Sequence, residues 1–356
     1  MILFRYLAAH IIRGALTVLL VLVALSLFFT MVRELDDLGT GNYGGFQMLQ
    51  YLLYKIPGFV VDFMPLAVLI GCLLSLGNLA SGSEIIVMQA SGLSLWQLLV
   101  GVGLSVFILA LLALAVGNLL VPAAETSARN IRTSSIESRV SFTGREGVWI
   151  KDRSNILHID QLLPDGHARN VKIFHLDQGE YLSATTFAQQ ALLQRDGWKL
   201  QSVQRSLLQD DQVTTEYLDT WIYPGQLAAN TLQSMVANPQ QMSIRGLAVY
   251  IGFLKDNGLS SRVESLSLWQ KVYQPVAIIV MGLLAIPFVL GSQRQSNTGQ
   301  RVMTGILLGL MYVVLNRLLI QVGEQAGLAT YINALLPTLI FTGILAWLLH
   351  RKHKNT

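Results

Sequence analysis

The chain has 356 residues, of which 52% are hydrophobic and only 13% charged, and its formal net charge is +4. That charged fraction is about half the usual value for a soluble domain, so water cannot surround the whole chain and much of it must lie in lipid. The single cysteine, Cys72, excludes an intrachain disulfide, and no Cys/His spacing suits zinc, so neither a metal nor a redox cofactor is expected.

A helix that crosses about 30 Å of hydrocarbon needs roughly 20 apolar residues. Six stretches meet that need: 14–32, 57–80 with Asp62 near its start, 96–120, 272–290, 302–322 with Arg317 near its end, and 331–349. The first has no small-residue cleavage site after it and reads as a retained signal anchor, with the chain expected to begin at Met1. Pro275 and Pro287, near the ends of the fourth, predict a kink or a stop in that helix and not its loss.

Lys and Arg in short loops stay cytoplasmic. With the N-terminus inside, the cytoplasmic segments carry Arg5, Arg13, Arg294, Arg301, Arg351, Lys352 and Lys354 against Glu84, while the short outer loops carry Glu34, Asp36, Asp37 and Glu324 against Arg33 and Lys55. Both termini are therefore expected in the cytoplasm of a multi-pass inner-membrane protein, with the long insert facing the periplasm. The insert, 123–271, holds 15 basic and 15 acidic residues, so the basic balance of the chain belongs to the cytoplasmic loops and does not point to nucleic acid.

Within the insert, alternating runs are separated by turn residues, the pattern of half-buried strands. GVWIKD (147–152), NILHID (155–160), VKIFHLD (171–177), YLSATTFAQQALL (181–193), GWKLQSVQRSLL (197–208) and VTTEYLDTWIY (213–223) fit it, with turns at 152–155, 164–166, 177–179 and 196–197. They predict a small sandwich or rolled antiparallel sheet. From 243 to 271 the period becomes helical, with Leu247, Tyr250, Ile251 and Leu254 on one face. The expected organisation is three spans in 1–122, a β domain in 123–242, a helical return in 243–271 and three spans in 272–356.

Two segments carry candidate function. In SGSEIIVMQASGLS (81–94), Ser83 is suited to cap a short helix and Gly92 to end it. Ile85, Ile86, Met88 and Ala90 give that helix more apolar surface than water tolerates, which fits a docking helix for another protein, with Glu84 placed to meet a partner cation; an interfacial helix lying on the headgroups is the alternative. Just past the third span, Arg129 and Arg132 stand one turn apart, a spacing that suits an anionic headgroup. Asp62 and Arg317, near the outer ends of their helices, read as interfacial anchors.

No GxxxxGK[ST] phosphate loop is present, so ATP would be hydrolysed by a separate protein. Ser135 with His158, His167 and His175 forms no recognisable triad, and no catalytic residue is assigned. The residues support a non-enzymatic permease subunit driven by an ATPase. A periplasmic sensor or mechanotransmitting membrane protein coupled to such an ATPase is the second class, and a lipid-modifying membrane enzyme the third.

Five segments, SEIIVMQASG (83–92), PAAETSARNIR (122–132), MSIRGLAVYIGFLKDNG (242–258), LWQKVYQP (268–275) and GQRVMTGI (299–306), together resemble the lipopolysaccharide export permease family, LptF/LptG, over essentially the whole length. The resemblance implies a jelly-roll-like β domain, a homologous permease partner, LptF, two copies of the ATPase LptB, and a helix of LptC beside the first span. It further implies lipopolysaccharide as the cargo, lifted from the inner membrane into a periplasmic bridge that includes LptA. Carried onto this sequence, Ser83 to Gly92 becomes the ATPase-coupling helix with Glu84 as an ionic contact, and Arg129 and Arg132 lie near the lipid phosphates. At MVRELDD the sequence departs from the family: it keeps Arg33 but has Glu34, Asp36 and Asp37 where relatives can carry lysines, which shifts the phosphate contacts towards Arg129, Arg132 and Arg317.

Overall fold

A computed structural model describes residues 2–92, 94–136, 148–152, 155–162, 167–177, 181–194, 197–209, 212–224, 239–290 and 298–353. The chain divides into a helical unit, Met1–Glu34, Leu52–Glu125 and Arg262–Thr356, and a sheet unit, Leu35–Tyr51 and Thr126–Ser261.

Among the described residues, six helical stretches are long and apolar enough to cross a membrane, and each overlaps one of the expected spans. They are built from α1 (Ile2–Glu34), α2 (Gly45–Ser81), α4 (Leu95–Ala115) running on into α5 (Val121–Ile136), α7 (Arg262–Leu290), α8 (Thr298–Gln325) and α9 (Thr330–His353); the short α3 (Glu84–Ala90) follows α2. The helices outrun their apolar stretches because a backbone bonded to itself has no reason to unwind at the headgroups. Between α4 and α5 the five residues Val116–Leu120 form a π-turn, and Pro122, just beyond it, has no N–H to offer the carbonyl one turn back.

Pro275 and Pro287 both lie inside α7, and Pro57 and Pro65 inside α2, without ending either helix. Pro65 frees the carbonyl of Val61, and Gln274 of α7 donates its side-chain amide to that oxygen at 3.0 Å. Small residues set the closest helix crossings. A Cβ on Gly71 would stand 2.4 Å from the Cα of Ala15, and beside this crossing Ser75 donates to the carbonyl of His10 at 2.8 Å. Buried aliphatic residues of α1, α2, α4, α7 and α9, with Ile85 of α3, form one core.

In the sheet unit β1 (Val148–Asp152), β2 (Asn155–Leu162), β3 (His167–Asp177), β4 (Tyr181–Gln194), β5 (Gly197–Gln209) and β6 (Gln212–Tyr223) pair in chain order, each antiparallel to the next. All six predicted strands are present, so the chain has the expected class: membrane helices plus an all-β domain. Several predicted turn residues, Arg153, Ser154, Pro164, Asp165, Gly166, Gln178, Gly179 and Asp196, lie outside the described residues.

The pairing skips one residue per strand in a row that crosses the sheet: Asp160, Asn170, Gln189, Ser202 and Asp219. Asn170 and Ser202 take positive φ values of 51° and 52°. The inward parity changes at this row, so Ala168 and Val171, Ala188 and Ala191, Leu200 and Val203, and Leu218 and Trp221 join the same core although each pair is three residues apart. Trp198 is the largest fully buried side chain of that core, and Phe253 packs on it from α6 (Ile244–Asp256). Ser243 caps α6 by accepting from Gly246 N–H at 3.0 Å, and Gly258, at φ 65°, ends it with a bond from Leu259 N–H to Leu254 C=O.

Candidate functional site

The segment between α2 and α4 is a hydrogen-bonded element. Ser83 N–H donates to Ala80 C=O at 3.1 Å, Val87 N–H to Ser83 C=O at 3.0 Å, and Ser91 N–H to Val87 C=O at 2.9 Å. Ser83 holds a left-handed φ of 60° where an N-cap residue is normally extended, so it reverses the chain and gives the first helical carbonyl without the expected side-chain cap. Gly92, at φ 98°, supplies the reversal at the other end, and Ser94 with Gln97 forms a capping box that starts α4.

The structure divides the apolar set of this helix in two. Ile85 and Met88, one turn apart, are buried within the chain, whereas Ile86, Val87 and Ala90 are exposed. Two residues root α3 in its own bundle and leave a narrower apolar face than the sequence alone implies. Glu84 accepts a hydrogen bond from the Tyr6 hydroxyl of α1 at 2.9 Å, a contact across 78 residues that no local pattern signals.

Of the predicted phosphate-binding cations, Arg129 and Arg132 are brought together on α5. Arg129 donates to the side-chain oxygen of Gln241, and Arg132 pairs with Asp37 while standing 6.0 Å from the centre of the Tyr51 ring. Arg33 is exposed at the last turn of α1, and Arg317 is exposed on α8.

A second ion pair lies in the helical unit. Lys55, counted from the sequence with the outer loops, falls inside α2 and bonds Glu125 of α5 at 2.7 Å, with side chains only 19% and 8% exposed. Their burial makes the pair a fixed strut between α2 and α5, one turn before Arg129. No group of histidine, cysteine and acidic side chains suited to a metal occurs among the described residues.

The family model described as lipopolysaccharide export system permease LptF/LptG matches residues 5–351. The lipopolysaccharide export system permease protein LptG of Haemophilus influenzae is 32% identical over 355 residues, covering 98% of each chain. LptG of Escherichia coli K12 is 32% identical over 351 residues, again covering 98% of both. With six apolar helices and a β domain inserted between the third and fourth, matched from end to end, the chain belongs to the LptF/LptG family of lipopolysaccharide export permeases.

Proposed function

We propose that this chain is a non-catalytic inner-membrane subunit that extracts lipopolysaccharide by coupling its helices to a separate cytoplasmic ATPase, and hands the lipid to a periplasmic bridge. The observation that carries the reading is α3, a short helix anchored by Ile85 and Met88 that leaves Ile86, Val87 and Ala90 exposed. An apolar face held rigidly on a short loop is a means of passing motion from a partner into α2 and α4. Seven residues from Ser83 to Gly92 form the coupling set: Ser83 and Gly92 reverse the chain, Ile85 and Met88 anchor, Ile86 and Ala90 dock, and Glu84 supplies an ionic edge; the exposed Val87 joins the docking face beside Ile86.

The cargo sets the rest of the mechanism. Wetting acyl chains costs about 0.8 kcal/mol per methylene, so the tails must remain covered throughout the transfer. A cavity shared with the homologous LptF subunit and a rolled sheet with an apolar lining would supply that cover. Arg129 and Arg132, with Arg33 and Arg317, would meet the phosphates, for which guanidinium forks are suited. Two copies of LptB would power closure, LptC would sit beside α1, and LptA would receive the lipid. Both termini would lie in the cytoplasm and the sheet unit in the periplasm, within a domain order of 1–122, 123–242, 243–271 and 272–356.

The test substitutes the exposed docking residues. Ile86→Asp and Val87→Asp are expected to reduce co-purification of the ATPase at least tenfold while the chain still inserts, since a charge desolvated in an apolar contact costs more than the roughly 1.4 kcal/mol that tenfold represents. Undiminished co-purification of both variants would remove the docking role. Met88→Asp is the poorer probe because Met88 is buried in the chain itself.

A further inference from the structure

We propose that Asp37 is an internal competitor for Arg132, a tethered counter-ion that holds the phosphate site against singly charged bulk lipids and yields to a phosphate monoester. The inference rests on the reading of Arg129 and Arg132 as the phosphate site. Its starting point is the Arg132–Asp37 ion pair, whose side chains remain 45% and 35% exposed. An ion pair that open to solvent is weak and exchangeable, unlike the buried strut between Lys55 and Glu125.

The carboxylate is nevertheless delivered to Arg132 by an ordered loop. Asn42 N–H donates to Ser135 C=O at 2.6 Å, which ties the loop to the end of α5 one turn beyond Arg132. Gly39 N–H donates to Tyr43 C=O at 3.0 Å, Tyr43 N–H to Thr40 C=O at 3.1 Å, and the Tyr43 side chain is only 1% exposed. Gly39 and Gly41 adopt the positive φ values, 87° and 59°, that let the chain turn this tightly. The Tyr51 ring beside the guanidinium helps to fix where it sits. A carboxylate placed by its loop competes at a constant effective concentration, whatever lipid surrounds the protein.

The consequence for lipid choice follows from charge. A phospholipid phosphodiester carries one negative charge, so in displacing Asp37 it exchanges one monoanion for another and gains little. A phosphate monoester carries about −1.5 to −2 and offers three strong acceptor oxygens, enough to displace the carboxylate, which turns out into water. Without a monoester lipid the site closes on itself and is not filled by the surrounding bilayer.

The experiment uses the full chain in phosphatidylcholine nanodiscs that contain either phosphatidylglycerol or lipopolysaccharide, in separate preparations. A photoreactive residue replaces Leu38, which is exposed beside Asp37. Asp37→Asn is expected to raise phosphatidylglycerol adducts roughly two- to fivefold, the range an exposed ion pair supplies, and to leave saturated lipopolysaccharide adducts nearly unchanged. Asp37→Glu should keep the low phosphatidylglycerol yield, which separates lost charge from a disturbed loop. Unchanged phosphatidylglycerol adducts in Asp37→Asn, with lipopolysaccharide adducts lost in Arg132→Gln, overturn the competitor and leave the phosphate site standing. Lipopolysaccharide adducts that survive in the Arg129→Gln/Arg132→Gln double variant overturn the phosphate site and the competitor together.

Discussion

The helical unit and the sheet unit solve the same two problems, close packing and the placement of charge, in opposite ways. In the helical unit backbones meet directly, as at Gly71 and Ala15, and the ion pair Lys55–Glu125 is withdrawn from water. In the sheet unit large side chains such as Trp198 fill the core, and the ion pair Arg132–Asp37 stays open to solvent. A charge withdrawn from water is costly without a partner, so the buried Lys55–Glu125 pair acts as a strut. An ion pair left open to solvent stays exchangeable, which a binding site requires.

The two ion pairs give the sharpest way to break this contrast. Glu125→Ala removes the carboxylate that bonds the buried Lys55 ammonium and is expected to cost about 3 kcal/mol, whereas Asp37→Ala is expected to cost less than about 1 kcal/mol. The Lys55→Met/Glu125→Leu pair should recover most of the loss, because an apolar contact needs no counter-charge. Unfolding of the full chain in mixed micelles measures all three. Equal losses for Glu125→Ala and Asp37→Ala would end the distinction between strut and exchangeable pair.

The same contrast explains what the sequence shows and what it hides. Lipid makes apolar length the dominant signal, so all six spans were legible, and water on one face makes alternation legible, so the six strands were too. The third strand is the instructive boundary: alternation locates it from Val171, yet β3 begins at His167, because parity inverts at Asn170 and the segment before it is out of phase. Contacts between distant residues left no local trace. Arg132 meets Asp37 across 95 positions and Arg129 meets Gln241 across 112, so the arginine pair could be picked out by its spacing while its partners could not. Lys55 was misplaced for a related reason: an amphipathic lysine near a span end reads as a loop charge, and only its reach to Glu125 shows that it is part of the helix packing.

Packing offers a smaller test, with one glycine from each unit. A side chain at Gly71 would run into the backbone of Ala15, so Gly71→Val is expected to cost about 1–3 kcal/mol as α1 is pushed from α2. Gly252, in the middle of α6, has nothing within 4 Å of where its Cβ would stand. Gly252→Ala should therefore stabilise the sheet unit by up to about 1 kcal/mol through the better helix propensity of alanine. The sign difference is the outcome to check, by the same unfolding measurement. Two losses of similar size would mean that the sheet unit is as tightly packed around its helix as the helical unit is at its crossings.

The smallest effect concerns His175, a titratable group of the sheet unit that is half withdrawn from water. Its ring nitrogen lies 3.1 Å from the Thr186 hydroxyl, with the rings of Trp221 and Tyr223 near it. Burial, and then the positive charge of Arg205, push its pKa below the ordinary histidine value. Above about pH 6.5 the imidazole is neutral in both folded and unfolded chains and stability does not depend on it. As pH falls through that value the unfolded chain takes up the proton first, so the sheet unit loses stability, and the loss levels off once the lower folded pKa is passed. His175→Gln keeps a neutral polar group at the position and should flatten this part of the curve. Tryptophan fluorescence during thermal unfolding between pH 8 and 5 follows the change through Trp198 in the core. Parallel curves for the wild-type chain and His175→Gln would show that the ring is wet enough to titrate as it does in the unfolded state, and the sheet unit would then tolerate charge at its core edge as readily as at its surface.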